Sequence, residues 1–422
     1  MTEQAFTMDT DSVDIVIVGG GIVGLCFANA LIGSDFSVLI IERRELTTDI
    51  EALCAENQPD AKPGFRVSAI NRSALKQFKQ IGIFHLSGSK KALAKRLCVF
   101  DKMFVWDQTG AGQIQFDSAE LGVSELGAIV ENDVLQLLLL ENIKAAENIT
   151  YLCPQEITCI EYKPDENNPE HQTTTLSLSS GRKILTKLLV GADGVNSKVS
   201  EVASIQRSRH AYQQLGVVCN VSTREHHQNT AWQCFMPSGP LAFLPLFNGQ
   251  CSIVWSLDEA AAERIMALDD AAFKVALAEA SEFKLGEILD VSQRFSFPLS
   301  HGHASDYVKQ GLVLIGDAAH NIHPLAGQGA NLGIADAFAL AEIIIAAKQA
   351  NRQWFALHTL AKYQRQRKGA NLLMEGSMTA FKELFGQDNP FLCEIRNAGL
   401  SLVDRIPALK YKIIQQALGV VD

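Results

Sequence analysis

The chain contains 422 residues, of which 47% are apolar and 20% charged, a composition typical of a soluble globular protein with room for two sizeable domains. Its formal net charge of −10 argues against a nucleic acid partner. The nine cysteines are scattered, without a CxxC pair or a zinc-type Cys/His spacing, which predicts no metal site and a reducing compartment. The acidic N-terminus is unlike a signal peptide, and no stretch reaches the roughly 18 apolar residues that a membrane-spanning helix needs. We therefore expect a cytoplasmic protein with at most peripheral contact to the inner membrane.

The first element is an apolar, β-branched run at residues 13–18, which is typical of a strand buried on both faces. It enters a G-x-G-x-x-G pattern and a predicted helix, and a second apolar strand over residues 36–41 then ends in Glu42. The glycines of the pattern are Gly19, Gly21 and Gly24. They allow a tight turn that brings the helix N-terminus onto a pyrophosphate, while the acid binds a ribose. Because an acid there disfavours a 2′-phosphate, the pattern predicts bound FAD or NAD rather than NADP.

Two later positions allow more than one interpretation. Arg66 follows a polar segment predicted to be a surface loop, and it either reaches a phosphate or the flavin region or forms a surface ion pair.

Residues 97–117 predict a β-hairpin around a Thr-Gly-Ala-Gly turn. Residues 126–140 predict a short strand and then a helix, with Glu131 and Asn132 at the junction. That junction either touches the nucleotide or is a helix start capped by Asn132.

A second turn, at residues 191–197, follows strands predicted over residues 149–190. It contains Asp193 and Gly194 and precedes a predicted helix, for which Ser197 is one candidate cap. The local sequence leaves two interpretations equally open. The turn either faces the nucleotide or is a plain connection whose helix is capped by Asp193.

Residues 205–300 differ in character, because strand-like runs separated by turn signals recur there, with a helix predicted over residues 259–280. This pattern predicts an antiparallel sheet that forms a layer separate from the first domain. The aromatic residues of the region are Trp232, Phe235, Phe243, Phe247, Trp255, Phe295 and Phe297. They either fill the core or form the apolar wall of a pocket for an aromatic or lipid-like substrate.

The most informative stretch is GDAAHNIHPLAGQGANLGIAD at residues 316–336, which follows an apolar strand and leads into an apolar helix. Asp317 is predicted to end the strand, where its carboxylate accepts hydrogen bonds from ligand hydroxyls. The helix start at residues 328–331 offers N–H groups and a partial positive charge to an anionic ligand. His320 and His323 are interpreted as structural, and no side chain is identified as a catalytic base.

These three turns, in this order, resemble the class A flavoprotein monooxygenases with the para-hydroxybenzoate hydroxylase-like fold. HPLAGQGANLGIAD at residues 323–336 is similar to the signature of the bacterial ubiquinone-biosynthesis hydroxylases. RVSAIN (66–71), IVEN (129–132), LAFLPL (241–246) and CSIVWSL (251–257) resemble the branch of that family that hydroxylates 2-polyprenylphenol at the C5 position. The resemblance extends over nearly the whole chain.

The resemblance implies an α/β fold, α+β overall, in which a Rossmann-like FAD-binding domain is joined to an antiparallel-sheet substrate domain and C-terminal helices. The implied FAD-binding domain comprises residues 12–75, 125–202 and 305–350, the substrate domain residues 76–124 and 203–304, and the helical region residues 351–422. The residues that the resemblance assigns to the cofactor are Gly19, Gly21, Gly24, Glu42, Arg66, Asp193, Gly194, Gly316, Asp317, Pro324, Gly327, Gln328, Gly329, Ala330 and Asn331.

The implied reaction uses NAD(P)H and O2 to hydroxylate a polyprenylated phenol through a flavin C4a-hydroperoxide. The sequence contains no second Rossmann fingerprint, which agrees with transient NAD(P)H docking and leaves NADH and NADPH open. We expect no metal and no nucleic acid, and the resemblance allows both a homo-oligomer and a multiprotein ubiquinone-biosynthesis assembly. Two alternatives are a related hydroxylase that acts at another ring position and a non-catalytic FAD-binding subunit of such an assembly.

Overall fold

The structure is a computed structural model that describes residues 10–46, 63–84, 91–162, 173–321 and 328–385. In chain order, the strands are β1 (Thr10–Val18), β2 (Val38–Ile41), β3 (Val67–Asn71), β4 (Cys98–Phe100), β5 (Lys102–Asp107), β6 (Gln113–Asp117), β7 (Gly127–Glu131), β8 (Ile149–Leu152), β9 (Ile157–Tyr162), β10 (Thr174–Leu178), β11 (Lys183–Gly191), β12 (Arg207–Thr223), β13 (Thr230–Phe235), β14 (Leu241–Pro245), β15 (Cys251–Asp258), β16 (Ile288–Val291), β17 (Phe295–Ala304), β18 (Val308–Lys309), β19 (Leu312–Leu314) and β20 (His320–Asn321). The helices are α1 (Ile22–Ala30), α2 (Arg72–Gln80), α3 (Lys91–Ala94), α4 (Asn132–Ile143), α5 (Lys198–Val202), α6 (Glu259–Ala267), α7 (Asp270–Ala280), α8 (Gln328–Gln349) and α9 (Leu357–Phe385).

The first sheet has eight strands, and the five in the order β19, β11, β1, β2 and β8 run parallel. β1 lies at their centre because its apolar residues on both faces, such as Ile15 and Val16, are fully buried and leave no face for water. α1 follows β1 and packs against α4 and α8. The carboxyl ends of the parallel strands meet at one edge of the sheet, and the three predicted turns begin there.

The second sheet has nine strands, in the order β20, β17, β12, β15, β14, β13, β5 and β6, with β16 beside β12. It is antiparallel as predicted, except that β5 pairs with β13 in parallel. The exception arises because the chain enters β5 from a third sheet, formed by β3, β7 and β4, and not through a hairpin from β13. β5 and β6 form the predicted hairpin.

The single helix predicted over residues 259–280 is wrong, because the segment forms two helices, α6 and α7. Leu268 has an extended backbone, with φ −64° and ψ 147°. The side chain of Asp269 accepts a hydrogen bond from the Ala272 N–H at 2.7 Å. An aspartate in this position caps a new helix, so the previous helix ends before it.

The long helix α8 is apolar on most of its faces. Its segment Gly329–Gln349 is long and apolar enough to cross a membrane by length and composition, which the sequence pattern did not predict. Ile334, Leu340 and Ile344 are fully buried in the core of the first sheet, and α8 contacts α1 and α9. A helix covered by neighbours on several sides carries apolar residues around most of its circumference, so this is the pattern of a core helix.

The third turn connects the two large sheets. It follows β19 of the first sheet, and the next residues, His320 and Asn321, form β20 and pair with β17 of the second sheet. The turn therefore lies where the sheets meet. The domain boundaries expected from the sequence stay a prediction.

Candidate functional site

The first turn is shaped by close backbone contacts. Gly19 has a φ of +109°, and a Cβ atom on it would lie 2.4 Å from the carbonyl oxygen of Ala192. A Cβ on Gly24 would lie 2.1 Å from the carbonyl oxygen of Gly19. These two positions therefore require glycine. Around Gly21, by contrast, a Cβ would meet no atom of the described residues within 4 Å, so space is open in front of the first turn of α1.

This open space fits a pyrophosphate. Gly21 is the N-cap of α1, no side chain caps the helix, and its first turn carries no acidic residue. The helix start therefore offers N–H groups and a partial positive charge to an anion. At the neighbouring strand end, the Glu42 carboxylate accepts hydrogen bonds from the N–H groups of Gly20 at 2.6 Å and Arg44 at 2.8 Å. These bonds fix Glu42 beside the glycine turn, where a ribose would follow the pyrophosphate.

A cavity of about 170 Å³ lies beside these groups and extends to the second turn. Its lining includes Gly19, Glu42, Arg43, Asp193 and Lys198. The first and second turns thus border one space. Within the described ranges, no group of His, Cys, Asp and Glu side chains is arranged to hold a metal ion.

In the second turn, the two carboxylate oxygens of Asp193 differ in their hydrogen bonding. Its Oδ2 accepts a hydrogen bond from the Val199 N–H at 3.2 Å and so helps to cap α5, whose N-cap is Ser197. Its Oδ1 is buried and has no hydrogen-bond partner in the part of the chain that the structure describes, and burial raises the pKa of this carboxyl. Gly194, with a φ of +80°, borders open space. A buried acceptor without a partner, next to a cavity, is consistent with a polar ligand group bound there.

The third turn packs directly on the first. Asp317 does not end the strand as predicted but lies in a short 3-10 turn, because Gly316 has a φ of +58° and interrupts the extended backbone. A Cβ on Gly316 would lie 3.1 Å from the γ-carbons of Val23, and one on Gly333 would lie 2.6 Å from Val23 Cγ2. Since Val23 is in the first turn of α1, this packing brings the first and third turns together.

The side chain of Asp317 is exposed to solvent close to Arg66, Arg207 and His320, and we call the space in front of these groups the cleft. Burial raises the pKa of this carboxyl, and the neighbouring His320, Arg66 and Arg207 oppose that rise. Arg207 donates hydrogen bonds to the carbonyl oxygens of Val195 and Asp317, each at 2.7 Å, and so ties the second turn to the third. Sequence reasoning missed Arg207, because an arginine at the start of a strand carries no local signal. For the exposed Arg66, the position near Asp317 favours the cofactor-contact interpretation.

The start of α8 is held against the third sheet. The first turn of the helix contains Gln328, Gly329 and Ala330. The buried Asn331 accepts a hydrogen bond from the Asn71 N–H at 2.9 Å and donates one to the Ala69 carbonyl at 2.8 Å. The Asn331 side chain therefore joins α8 to β3. Three other predicted residues, Pro324, Gly327 and His323, lie outside the described residues.

The junction of β7 and α4 supports the chain just ahead of β3. The capping prediction for Asn132 is wrong, because the N-cap of α4 is Glu131, and Asn132 instead accepts a hydrogen bond from the Ser68 hydroxyl at 2.7 Å. The buried Glu131 forms an ion pair with Arg96, with N–O distances of 2.7 and 2.8 Å. It also accepts a hydrogen bond from the Gly64 N–H at 2.5 Å. This buried pair fixes the loop that carries the residues before β3.

The aromatic residues of the second sheet divide into two groups. Phe243 and Trp255 are only 1% and 5% exposed and belong to the core. Phe295 and Phe297 instead stack on Phe65, with ring centroids 4.3 and 6.3 Å apart from it. We call Phe65, Phe295 and Phe297 the exposed aromatic cluster, since Phe65 and Phe297 are 38% and 40% exposed.

The exposed aromatic cluster lies beside the cleft. Phe65 directly precedes Arg66, whose charge acts on Asp317. The loop is fixed to the second sheet, because Asn220 on β12 donates to the Pro63 carbonyl at 2.9 Å. The cluster is therefore a fixed apolar surface next to the third turn.

Comparison with known proteins identifies the family. Residues 12–372 match the family described as FAD binding domain. The chain is 34% identical over 412 residues to the 3-demethoxyubiquinol 3-hydroxylase of Escherichia coli (strain K12). The aligned region covers 98% of this chain and 100% of the relative. The chain is a class A flavin-dependent monooxygenase. It belongs to the family of the ubiquinone-biosynthesis hydroxylases, and FAD is its cofactor.

Other relatives of this monooxygenase agree. The ubiquinone hydroxylase UbiL of Rhodospirillum rubrum is 31% identical over 407 residues, covering 96% of this chain and 89% of the relative. The crystal structure of p-nitrophenol 4-monooxygenase PnpA from Pseudomonas putida DLL-E4 superposes with a TM-score of 0.75 at 17% identity, over 97% of this chain and 98% of that one. The predicted fold class of the monooxygenase is thereby confirmed.

Proposed function

We propose that this monooxygenase hydroxylates the ring of a polyprenylated phenol or quinol in ubiquinone biosynthesis. The observation that carries the proposal is the meeting of three cofactor turns and an exposed aromatic cluster at one cleft. In the balanced reaction, NAD(P)H, a proton, O2 and a ring C–H give NAD(P)⁺, a ring hydroxyl and water. FAD, when bound, takes the hydride and activates oxygen.

The residues of the chain bind and orient the reacting groups. The space before Gly21 and the start of α1 would hold the pyrophosphate, and Glu42 would hold the adenosine ribose. Asp317 would accept hydrogen bonds from the hydroxyl-bearing chain of the flavin. The N–H groups at the start of α8 would stabilise the flavin edge that becomes anionic on reduction. His320 is assigned no role as a base, because it is buried and hydrogen-bonded to Asp336.

We assign the exposed aromatic cluster to the apolar tail of the substrate. A polyprenyl chain that leaves the cleft there would cover ring faces that water now covers, and burial of an aromatic side chain stabilises by about 1.5–3 kcal/mol. Phe65→Ala and Phe297→Ala should raise KM for a long-tailed phenol and leave KM for a short-tailed one unchanged. Phe283→Ala is the control, since Phe283 is also exposed, at 52%, but lies in the turn after α7. Equal effects on both tail lengths would contradict the assignment.

Two ring positions have support. The motifs RVSAIN (66–71) and IVEN (129–132) resemble the branch that acts on 2-polyprenylphenol at C5. The full-length identity with a 3-demethoxyubiquinol 3-hydroxylase favours a second candidate, hydroxylation at the position that this relative's name describes. The substrate class is the same in both cases, so the ring position is a question of orientation in the cleft.

Purified, FAD-loaded enzyme distinguishes the candidates when it is given NAD(P)H and either prenylated ring compound. The true substrate should accelerate NAD(P)H oxidation and gain one oxygen atom, as measured by mass spectrometry. Deletion of the gene should make the same compound accumulate in cells. Bound FAD without any substrate-stimulated oxidation would overturn the proposal and support a non-catalytic subunit instead.

We also propose a cytoplasmic location with peripheral membrane contact, because a polyprenylated substrate partitions into the bilayer. A homo-oligomer and a multiprotein assembly with other enzymes of the pathway are further proposals. Fractionation of cells at low and high salt tests the location. Recovery of the protein only in detergent extracts would contradict peripheral contact.

A further inference from the structure

The buried carboxylate of Asp336 has no part in the function described so far. It lies on α8, is fully buried, and accepts hydrogen bonds from four donors. Its Oδ2 accepts from the Gly316 N–H at 3.2 Å and from His320 Nε2 at 2.5 Å. Its Oδ1 accepts from Arg367 Nε at 2.7 Å and Asn371 Nδ2 at 3.3 Å. A buried charge with this many donors is held in one place.

The two contacts on Oδ2 lie on either side of Asp317. Gly316 immediately precedes Asp317, and His320 is the residue with which the chain leaves the turn. Arg207, on β12, donates a hydrogen bond to the carbonyl oxygen of Asp317 at 2.7 Å. The turn is therefore held at the Gly316 N–H, at the Asp317 carbonyl and through the His320 side chain, that is, on both sides of the Asp317 side chain.

Helix α9 provides further contacts, to β19 and to Asp336. The buried Tyr363 donates a hydrogen bond to the Leu314 carbonyl at 3.0 Å, at the end of β19. Arg367 and Asn371 follow at spacings of four residues, so the three side chains share one face of the helix. That face contacts both the strand before the third turn and the carboxylate that holds the turn.

We propose that Asp336 is a positioning residue of the cofactor site and that the face formed by Tyr363, Arg367 and Asn371 holds it there. It sets the direction of Asp317 toward the hydroxyl-bearing chain of FAD, an inference that rests on the function proposed above for Asp317. Although burial alone would raise the pKa of Asp336, His320 and Arg367 lower it below its ordinary value, so the carboxylate stays charged.

Measuring FAD affinity without substrate tests this proposal. Arg367→Met should raise the FAD dissociation constant by about tenfold or more, because Asp336 loses its permanently charged partner. Arg367→Lys keeps the charge and should recover part of that loss. Arg365→Met is the matched control, since Arg365 lies on the same helix but is exposed, and it should stay within about twofold of wild type. Flavin fluorescence gives the constants, and circular dichroism shows that each apoprotein is folded.

Two further variants decide the question if Arg367→Met does not fold. Asp336→Asn removes only the charge, and Tyr363→Phe removes only the hydroxyl that binds Leu314. Folded variants that bind FAD within about twofold of wild type would overturn the proposal. Because no substrate is present, this outcome is independent of the substrate assignment, which fails instead if wild-type enzyme saturated with FAD is not stimulated by a prenylated ring.

Discussion

The first and third turns face the same cleft but are built differently. The first turn is determined by space, because Cβ atoms on Gly19 and Gly24 would overlap backbone atoms at 2.4 and 2.1 Å. Its contacts come from the adjoining strands and are encoded in a short pattern. The third turn is determined by side chains, since Arg207 and Asp336 bind its backbone from β12 and α8.

The two turns therefore contain residues of two kinds. Some would contact a cofactor, and others hold those residues in place. A glycine pattern identifies the first kind, because the cofactor needs open space and free N–H groups. The second kind lies far away in the sequence and carries no pattern of its own. Substitutions of the first kind should therefore remove the binding site, whereas substitutions of the second kind should misalign it.

The largest effect is expected in the first turn. Gly24→Ala places a methyl group 2.1 Å from the Gly19 carbonyl, so it should abolish FAD retention or folding. Gly21→Ala adds the same methyl group to open space and should leave the apoprotein folded while it weakens FAD binding. The measurements are the flavin absorbance of purified protein and the melting temperature of the apoprotein. Retention of FAD by Gly24→Ala would show that space does not determine this turn.

The next largest effect is expected in the loop before β3, because side chains hold this loop in place as they hold the third turn. Arg96→Met leaves the charge of Glu131 buried without its partner and should lower the free energy of unfolding by about 3–5 kcal/mol. Arg224→Met is the control and should change it little, because the ion pair of Arg224 with Glu287 is exposed to solvent. Urea unfolding measures both. Equal losses in the two variants would contradict the role of burial.

Acid should weaken the second sheet through a buried histidine. The neutral ring of His227 is bonded at both nitrogens, to the Leu246 carbonyl at 3.2 Å and the Asn229 N–H at 3.1 Å. Burial, with His226 nearby, lowers the pKa of His227 from 6.5 to about 4. Between these pH values the unfolded chain binds a proton more readily than the folded protein. The contribution of His227 to the free energy of unfolding is therefore complete above pH 6.5 and falls by about 3 kcal/mol as the pH approaches 4.

His227→Gln should reduce this pH dependence, as measured by urea unfolding at several pH values across the interval. Asp336 should keep its charge over the same interval, because its pKa lies below its ordinary value of 3.8. His303 on β17 pairs with His320 of the third turn, and burial lowers its pKa from 6.5 to about 4, so part of the pH dependence should remain in His227→Gln. A variant with the full wild-type pH dependence would exclude His227 as its source.

The smallest effect is expected for the link between the second and third turns. Arg207→Met removes hydrogen bonds to the Val195 and Asp317 carbonyls and should raise the FAD dissociation constant by about tenfold, with the apoprotein still folded. Arg209→Met is the control, because the exposed Arg209 makes only a 3.3 Å contact with Asn196. Fluorescence titration compares the two variants. The link has no role in cofactor binding if both retain wild-type affinity.

Much of the fold and the shape of the first turn could be predicted because their signals are local. Gly19, Gly24 and Glu42 follow from strand, turn and helix patterns within one unit. The capping of α7 by Asp269 also had a local signal, although the single helix predicted there did not use it. The C5 branch suggested by the sequence motifs stays a prediction.

The remaining features depend on contacts between distant parts of the chain. Arg96, just ahead of β4, reaches Glu131 because β4 pairs with β7, and Arg367 on α9 reaches Asp336 on α8. The parallel pairing of β5 with β13 has the same cause, since it depends on the third sheet. The sequence pattern of a single segment contains no information on such partners.

The most direct test of hydroxylation at this cleft is mass spectrometry of the ring product formed under ¹⁸O2. Purified enzyme saturated with FAD would receive NAD(P)H and a prenylated phenol or quinol. We predict one ¹⁸O atom in each new ring hydroxyl and one NAD(P)H consumed for each product. Consumption of NAD(P)H with hydrogen peroxide as the sole oxygen product, or a ring hydroxyl that carries oxygen from water, would contradict the account.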